Sequence, residues 1–217
     1  MSADLSIYLV TDKSQATAAG HDLVDLVAAA VAGGATAVQV REKEADAGVF
    51  LDTVLKVAAV LPESVALFVN DRVDVFLAAR HAGARVAGVH VGQQDLPVAT
   101  VRDLVGPEAV IGLTTNTPSE LFGAGREVAR VDYVGIGSVH TTASKADAAP
   151  ALGVDGFAAL ARSTFLPAVA IGGITVADVP GLRAAGAAGV AVISAICGAA
   201  DPRATTAELA RAWAAAA

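Results

Sequence analysis

Apolar residues fall along this chain in eight short, nearly continuous runs separated by longer stretches with helical spacing. The runs are "IYLVT" at 7–11, "TAVQV" at 36–40, "ALFVN" at 66–70, "VAGVHV" at 86–91, "AVIGLT" at 109–114, "VDYVGIG" at 131–137, "AVAIGG" at 168–173 and "GVAVIS" at 189–194. Runs of this length and continuity suit strands covered on both faces, as in parallel sheets. Between them, "HDLVDLVAAAVAGG" places Leu23, Leu26, Val27, Ala30 and Val31 on one helical stripe, and Gly33 and Gly34 follow as a stop. Glycine followed by a strand recurs in "HAGARVAGVHV" and "RAAGAAGVAVIS", while Thr117 with Glu120 and Thr175 with Asp178 form candidate capping boxes. The terminal "RATTAELARAWAAAA" reads as a last helix with Leu209 and Trp213 facing inward. Eight strand and helix units without a linker or composition break predict an α/β chain folded as a single (β/α)8 TIM barrel over residues 1–217. An open doubly wound sheet ranks behind it, because that fold normally needs fewer strands and no G-x-G-x-x-G follows the first run.

Composition agrees with a large core of small packed elements: 54% of residues are hydrophobic and only 17% charged. The net charge of −7 argues against nucleic acid or an anionic membrane as a bulk partner, so an anionic ligand must be held by local cations. A single cysteine, Cys197, excludes an intrachain disulfide and a cysteine zinc cluster, and fits a reducing cytoplasm. The start "MSADLSIYLVTDK" lacks the basic opening and long apolar run of a secretory signal, which also points to a cytoplasmic location. The uncharged stretch at 184–200 is short for a membrane span and broken by glycines, so it reads as a buried strand with turns.

Barrel chemistry sits at the carboxyl ends of the strands, and polar residues of this apolar chain gather there. In extended chain Gln39, Arg41 and Lys43 point one way while Val38 and Val40 point the other. Asn70, Asp71 and Arg72 end the third run; His90 and Asp95 follow from the fourth, Thr114 and Asn116 from the fifth, and "GSVHTTASK" from the sixth. Each cluster has a plainer reading. Arg41 and Lys43 can pair with Glu42 and Glu44 in solvent, Asn70 and Asp71 can cap a helix, and His90 can be a satisfied core histidine. Their convergence favours chemistry. Arg41, Lys43 and Lys145 would bring three cations to one mouth and Asp71 and Asp95 two carboxylates, a set suited to a diphosphate carried with Mg2+. The glycine turn after the seventh run and the helix start after the eighth offer a second anion site, which Thr142 and Ser144 can also reach. Two phosphate-bearing ligands at one mouth imply a transferase.

The ordered pieces "YLVTD", "QVREK", "VNDR", "GVHVGQQDLP", "IGLTT", "DYVGIGSVHTTASK", "AIGGI" and "GVAVISAI" resemble the thiamine phosphate synthase family over almost the whole chain. The combination of Q-x-R-x-K, N-D-R, H-x-G-x-x-D-L and T-x-S-K is the specific part. That resemblance implies coupling of hydroxymethylpyrimidine diphosphate with hydroxyethylthiazole phosphate, giving thiamine phosphate and diphosphate. It implies that Arg41, Lys43, Asn70 and Lys145 hold the leaving diphosphate and that Asp71 and Asp95 bind Mg2+. Gln39, His90 and Thr114 would line the pyrimidine pocket. Thr142, Ser144, Gly173, Ile193 and Ser194 would hold the thiazole phosphate, the last three mainly through backbone amides. A dissociative substitution and a homodimer are the further family expectations. The chain differs from the family pattern at Ser138 and His140, where a proline and an aromatic are usual, and at Asn116, where a histidine is common. Two alternatives stay open at this point, a thiazole tautomerase-like isomerase on the same fold and a non-catalytic thiamine-precursor-binding protein.

Overall fold

The computed structural model describes residues 3–126, 130–141 and 151–216. Eight parallel strands close on themselves in chain order: β1 (Ile7–Val10), β2 (Ala37–Val40), β3 (Ala66–Asn70), β4 (Gly88–Val91), β5 (Val110–Thr115), β6 (Tyr133–Gly137), β7 (Ala168–Ile171) and β8 (Gly189–Val192). Each falls within the run expected for it, save that β5 extends by one residue to Thr115. The outer layer contains α1 (Lys13–Ala18), α2 (Leu23–Ala32), α3 (Ala47–Val60), α4 (Val73–His81), α5 (Val98–Val105), α6 (Pro118–Arg126), α7 (Gly153–Ala161), α8 (Val179–Ala184), α9 (Ser194–Cys197) and α10 (Pro202–Ala215). The short α1 and α9 are additions to the expected units, set in the loops after β1 and β8. No helix among the described residues is long and apolar enough to cross a membrane.

Strand parity divides the core in two. Ile7, Leu9, Val38, Val40, Leu67, Val69, Val89, Val91, Val134 and Ile136 belong to the layer between barrel and helices. Tyr8, Val10, Ala37, Phe68, Tyr133, Val169 and Ala191 belong to a second cluster that fills the lumen. Side chains alternate along a strand, so the outward apolar set leaves every other position free to be polar further up the lumen. The register places Val10 beside Gln39, Gln39 beside Phe68, Asn70 beside His90, and His90 beside Gly112.

The helices follow the expected stripes. Leu23, Leu26, Val27 and Ala30 of α2 are buried, and Asp22 caps it by accepting from the Val24 and Asp25 amides. Both expected capping boxes form: Glu120 accepts from the Thr117 amide and Thr117 Oγ1 from the Glu120 amide, and Thr175 with Asp178 closes a 3-10 turn ahead of α8. Leu209 of α10 is fully buried, and Trp213 is half-buried with the Arg183 guanidinium 4.7 Å from its ring centroid. At the amino-terminal end of the barrel, Arg102 donates to the carbonyls of Gly106, Ala109 and Arg130 and to the Asp132 carboxylate.

Gly33 ends α2 where α10 crosses it. A Cβ there would lie 2.4 Å from the Arg203 carbonyl oxygen and 2.9 Å from Thr206 Cβ, so the closeness of the two helices depends on glycine. Gly33→Ala is expected to destabilise the fold by about 1–3 kcal/mol, as overpacking of a tight contact does. Urea denaturation checks this, a shift of the midpoint at constant slope being the expected result.

Candidate active site

A cavity of about 650 Å³ opens at the carboxyl ends of the strands. Its lining includes Gln39, Arg41, Lys43, Asn70, Asp71, His90, Asp95, Thr114, Gly173, Ile193 and Ser194, the expected site residues that fall among those described. Thr142, Ser144 and Lys145 lie outside the described residues.

The floor is a chain of hydrogen bonds across the lumen. Gln39 Nε2 donates to Tyr8 Oη at 2.8 Å, the Tyr8 and Tyr133 hydroxyls are 3.0 Å apart, and Tyr133 Oη is 2.9 Å from His90 Nδ1. His90 Nε2 lies 2.9 Å from Thr114 Oγ1. The chain gives both buried tyrosine hydroxyls and both imidazole nitrogens a partner. Burial drives both tyrosines well above the usual phenol range, so they act as neutral hydrogen-bonding groups. Gly112 makes the floor possible, since a Cβ there would lie 2.2 Å from the Tyr133 ring and 2.4 Å from His90 Nδ1.

Tyr8 and Tyr133, the chain's only two tyrosines, were not among the residues expected in the site. Their signal was present. A hydroxyl in a buried strand must find a partner, and two such strands on one barrel bring them together.

The rim carries the charges. Thr11, fully buried, accepts from the Arg41 amide through Oγ1 at 3.0 Å and so fixes the backbone from which Arg41 projects. Lys43 pairs with neither neighbouring glutamate; its Nζ donates to Asp71 Oδ2 at 2.7 Å across the mouth. Nor does Asp71 cap α4, whose N-cap is Arg72 with no side-chain bond. The cause is local, because Asp71 has φ 58°, a left-handed conformation that aspartate tolerates better than most residues. The Asp95 carboxyl is raised above its usual range by burial, against the Gly92 amide that favours its charge, with further raising from the negative charge and hydrogen bond of Asp71. Two carboxyl groups close enough to share a proton are a place that favours a cation. No cluster of three or more His, Cys, Asp or Glu occurs among the described residues, so the pair is an open site and not a closed cage. Two oxygen-donor residues with room for water and phosphate oxygens fit Mg2+ and do not fit a structural zinc centre.

Opposite this rim, Gly172 and Gly173 leave β7 with φ 102° and 64°, and Ile193 and Ser194 lead from β8 into α9. The two turns face the same cavity. Phosphates favour such glycine-rich turns, where backbone amides can approach without side-chain hindrance.

A closed parallel barrel with a polar cavity at the carboxyl ends of its strands is the architecture of an enzyme acting on small molecules. The family model for thiamine monophosphate synthase matches residues 7–196, and the chain belongs to that family. It is 48% identical over 208 residues to a thiamine-phosphate synthase of Laribacter hongkongensis, covering 95% of this chain and 94% of the relative. It is 45% identical over 201 residues to one of Corynebacterium efficiens, with coverage of 92% and 90%. Among solved structures, a thiamine phosphate pyrophosphorylase from Pyrococcus furiosus superposes with a TM-score of 0.86 at 32% identity, covering 99% of this chain and 98% of that one. A 3-hexulose-6-phosphate synthase, at 17% identity and a TM-score of 0.69, shares the fold.

Tyr133→Phe leaves the Tyr8 hydroxyl and His90 Nδ1 without their present partner in a buried site, and is expected to cost about 1–3 kcal/mol of stability. Urea unfolding of the variant beside the parent measures it. Cys197 is fully buried beneath β1, its Sγ 3.7 Å from the Val10 carbonyl oxygen, and burial pushes its thiol up to about 11. The expected outcome at pH 8 is that a chromogenic disulfide reagent labels native protein only as fast as the fold opens, and labels it at once in urea.

Proposed function

We propose that this chain joins 4-amino-2-methyl-5-hydroxymethylpyrimidine diphosphate to hydroxyethylthiazole phosphate, releasing diphosphate and forming thiamine phosphate. The observation that carries the proposal is the meeting, in one cavity, of the Lys43, Asp71 and Asp95 rim, the hydrogen-bonded floor and the Gly172–Gly173 turn. Two ligands between them use all three: a flat polar heterocycle on the floor with its diphosphate at the cations, and a phosphorylated partner at the turn.

Gln39, His90 and Thr114 receive the pyrimidine, whose amino group and ring nitrogens find donors and acceptors already oriented by the tyrosine chain. Arg41, Lys43 and Asn70 hold the diphosphate, and Lys145 joins them by resemblance. Asp71 and Asp95 would hold Mg2+, which when bound supplies charge neutralisation to the departing diphosphate. Lys43 then exchanges its bond to Asp71 for one to phosphate oxygen, which places a mobile ammonium where negative charge grows. Gly173, Ile193 and Ser194 keep the thiazole phosphate at the far side, and Thr142 and Ser144 join them by resemblance.

The step we infer is dissociative. The C–O bond to diphosphate breaks, the electron-rich aminopyrimidine spreads the positive charge left on the methylene, and the thiazole nitrogen supplies the electron pair of the new C–N bond. No side-chain nucleophile takes part, in keeping with a protonated and inaccessible Cys197. We further place the protein in the cytoplasm, as one catalytic domain of a homodimer.

Mixing both substrates with Mg2+ and measuring released diphosphate tests the function. Release that needs both substrates and stops with a chelator is expected; binding of both without release would make the protein a sensor of precursors. Arg41→Ala is expected to lower kcat/KM by roughly ten- to a hundredfold, the range of a lost charge-assisted hydrogen bond of about 1.5–3 kcal/mol. Parent-like turnover would remove Arg41 from the diphosphate site.

A further inference from the structure

Ser138 and His140 follow β6 and lie against the glycine turn after β7. The Val139 amide donates to the Ile171 carbonyl and the His140 amide to the Gly172 carbonyl, each at 2.9 Å, so the two loops continue the ladder of the strands below. A Cβ on Gly172 would lie 2.6 Å from Ser138 Cβ, and one on Gly173 2.8 Å from His140 Cβ. The loops are in direct contact.

From there the His140 ring reaches over the turn. Its Nε2 is 2.8 Å from Asp178 Oδ1, while Asp178 Oδ2 accepts from the Thr175 amide at 2.8 Å and from Thr175 Oγ1 at 2.7 Å. One carboxylate thus binds the loop after β6 with one oxygen and the loop after β7 with the other. Burial acts to raise this carboxyl, but the Thr175 amide, His140 and the Thr175 hydroxyl together hold it below its usual range. An ionised carboxylate only accepts, so the bonded imidazole nitrogen carries its proton. Thr175 lines the cavity beside Gly172, Gly173 and Ile174. Neither the floor nor the acidic rim makes use of His140 or Asp178.

Glycines at positive φ are the most freely moving residues of a turn, and order imposed before a ligand arrives is order that binding need not impose. We infer that His140 is a positioning residue: through Asp178 and Thr175 it holds the Gly172–Gly173 turn in the shape that receives the thiazole phosphate, and so sets affinity for that substrate alone. The inference rests on the proposed assignment of this turn to the thiazole phosphate.

His140→Met and His140→Gln are nearly equal in length and differ in the terminal amide, which can give the hydrogen to Asp178. With both substrates varied, His140→Met is expected to raise KM for the thiazole phosphate about tenfold, leaving kcat and KM for the pyrimidine diphosphate within about twofold. His140→Gln is expected to return that KM to within about threefold of the parent. Should the methionine variant not fold, His140→Phe, which keeps a ring and lacks the donor, is expected to show the same single change. Equal behaviour of donor and donor-less variants, or a joint change in both KM values, overturns the inference. If the parent enzyme releases no diphosphate, the functional reading fails separately, and calorimetric titration with inorganic phosphate still decides: weaker binding in the methionine and phenylalanine variants alone supports the clamp, and equal binding refutes it.

Discussion

A closed ring of eight parallel strands has a lumen of fixed width, and every second side chain of every strand must fit inside it. That volume constraint governs this protein. Tyr8, Phe68 and Tyr133 take up much of the interior, small residues (Ala37, Ala191, Gly88 and Gly112) stand beside them in the ladder, and Gly112 stands where any side chain would strike both Tyr133 and His90. Large rings and glycines are therefore one design. The rings seal the lower lumen against water, and the glycines let a polar chain be drawn across its top with each hydroxyl satisfied.

The same alternation that puts Gln39 in this floor aims Arg41 at the mouth above it, and the cavity acquires its charges without any charge being buried in the core. Lys43 holds Asp71 across the rim, so in the free protein the cation and acid stabilise each other until a more highly charged ligand competes. The site is organised by position and by polarity in layers: neutral donors and acceptors at the bottom, ions at the edge, backbone turns at the far side. Such layering suits a reaction in which a heterocycle must sit still while an anion departs upward.

Most of the fold was legible because burial on both faces writes strands as unbroken apolar runs and because glycines mark where helices stop, as Gly33 does for α2. The rim was legible for a related reason: Arg41 and Lys43 are out of keeping with an interior strand. Other parts depended on contacts between distant residues. Tyr8 and Tyr133 sit 125 positions apart, so each buried hydroxyl signalled that it needed a partner while the separation hid which one. Asp71 reads equally well as a helix cap until its left-handed backbone turns it away. Asp178 was visible as the partner of Thr175 in a capping box, whereas its second oxygen, given to His140, depends on how two loops meet.

The Arg102 clasp lies at the opposite end from all of this chemistry, gathering the carbonyls of Gly106, Pro107, Ala109 and Arg130 and the Asp132 carboxylate from the loops that enter the strands. It ties together chain segments that no substrate approaches. Durability and catalysis are consequently housed at opposite poles, and evolution can rewrite the loops of the upper pole for new metabolites while the lower one goes on guarding the cylinder's integrity.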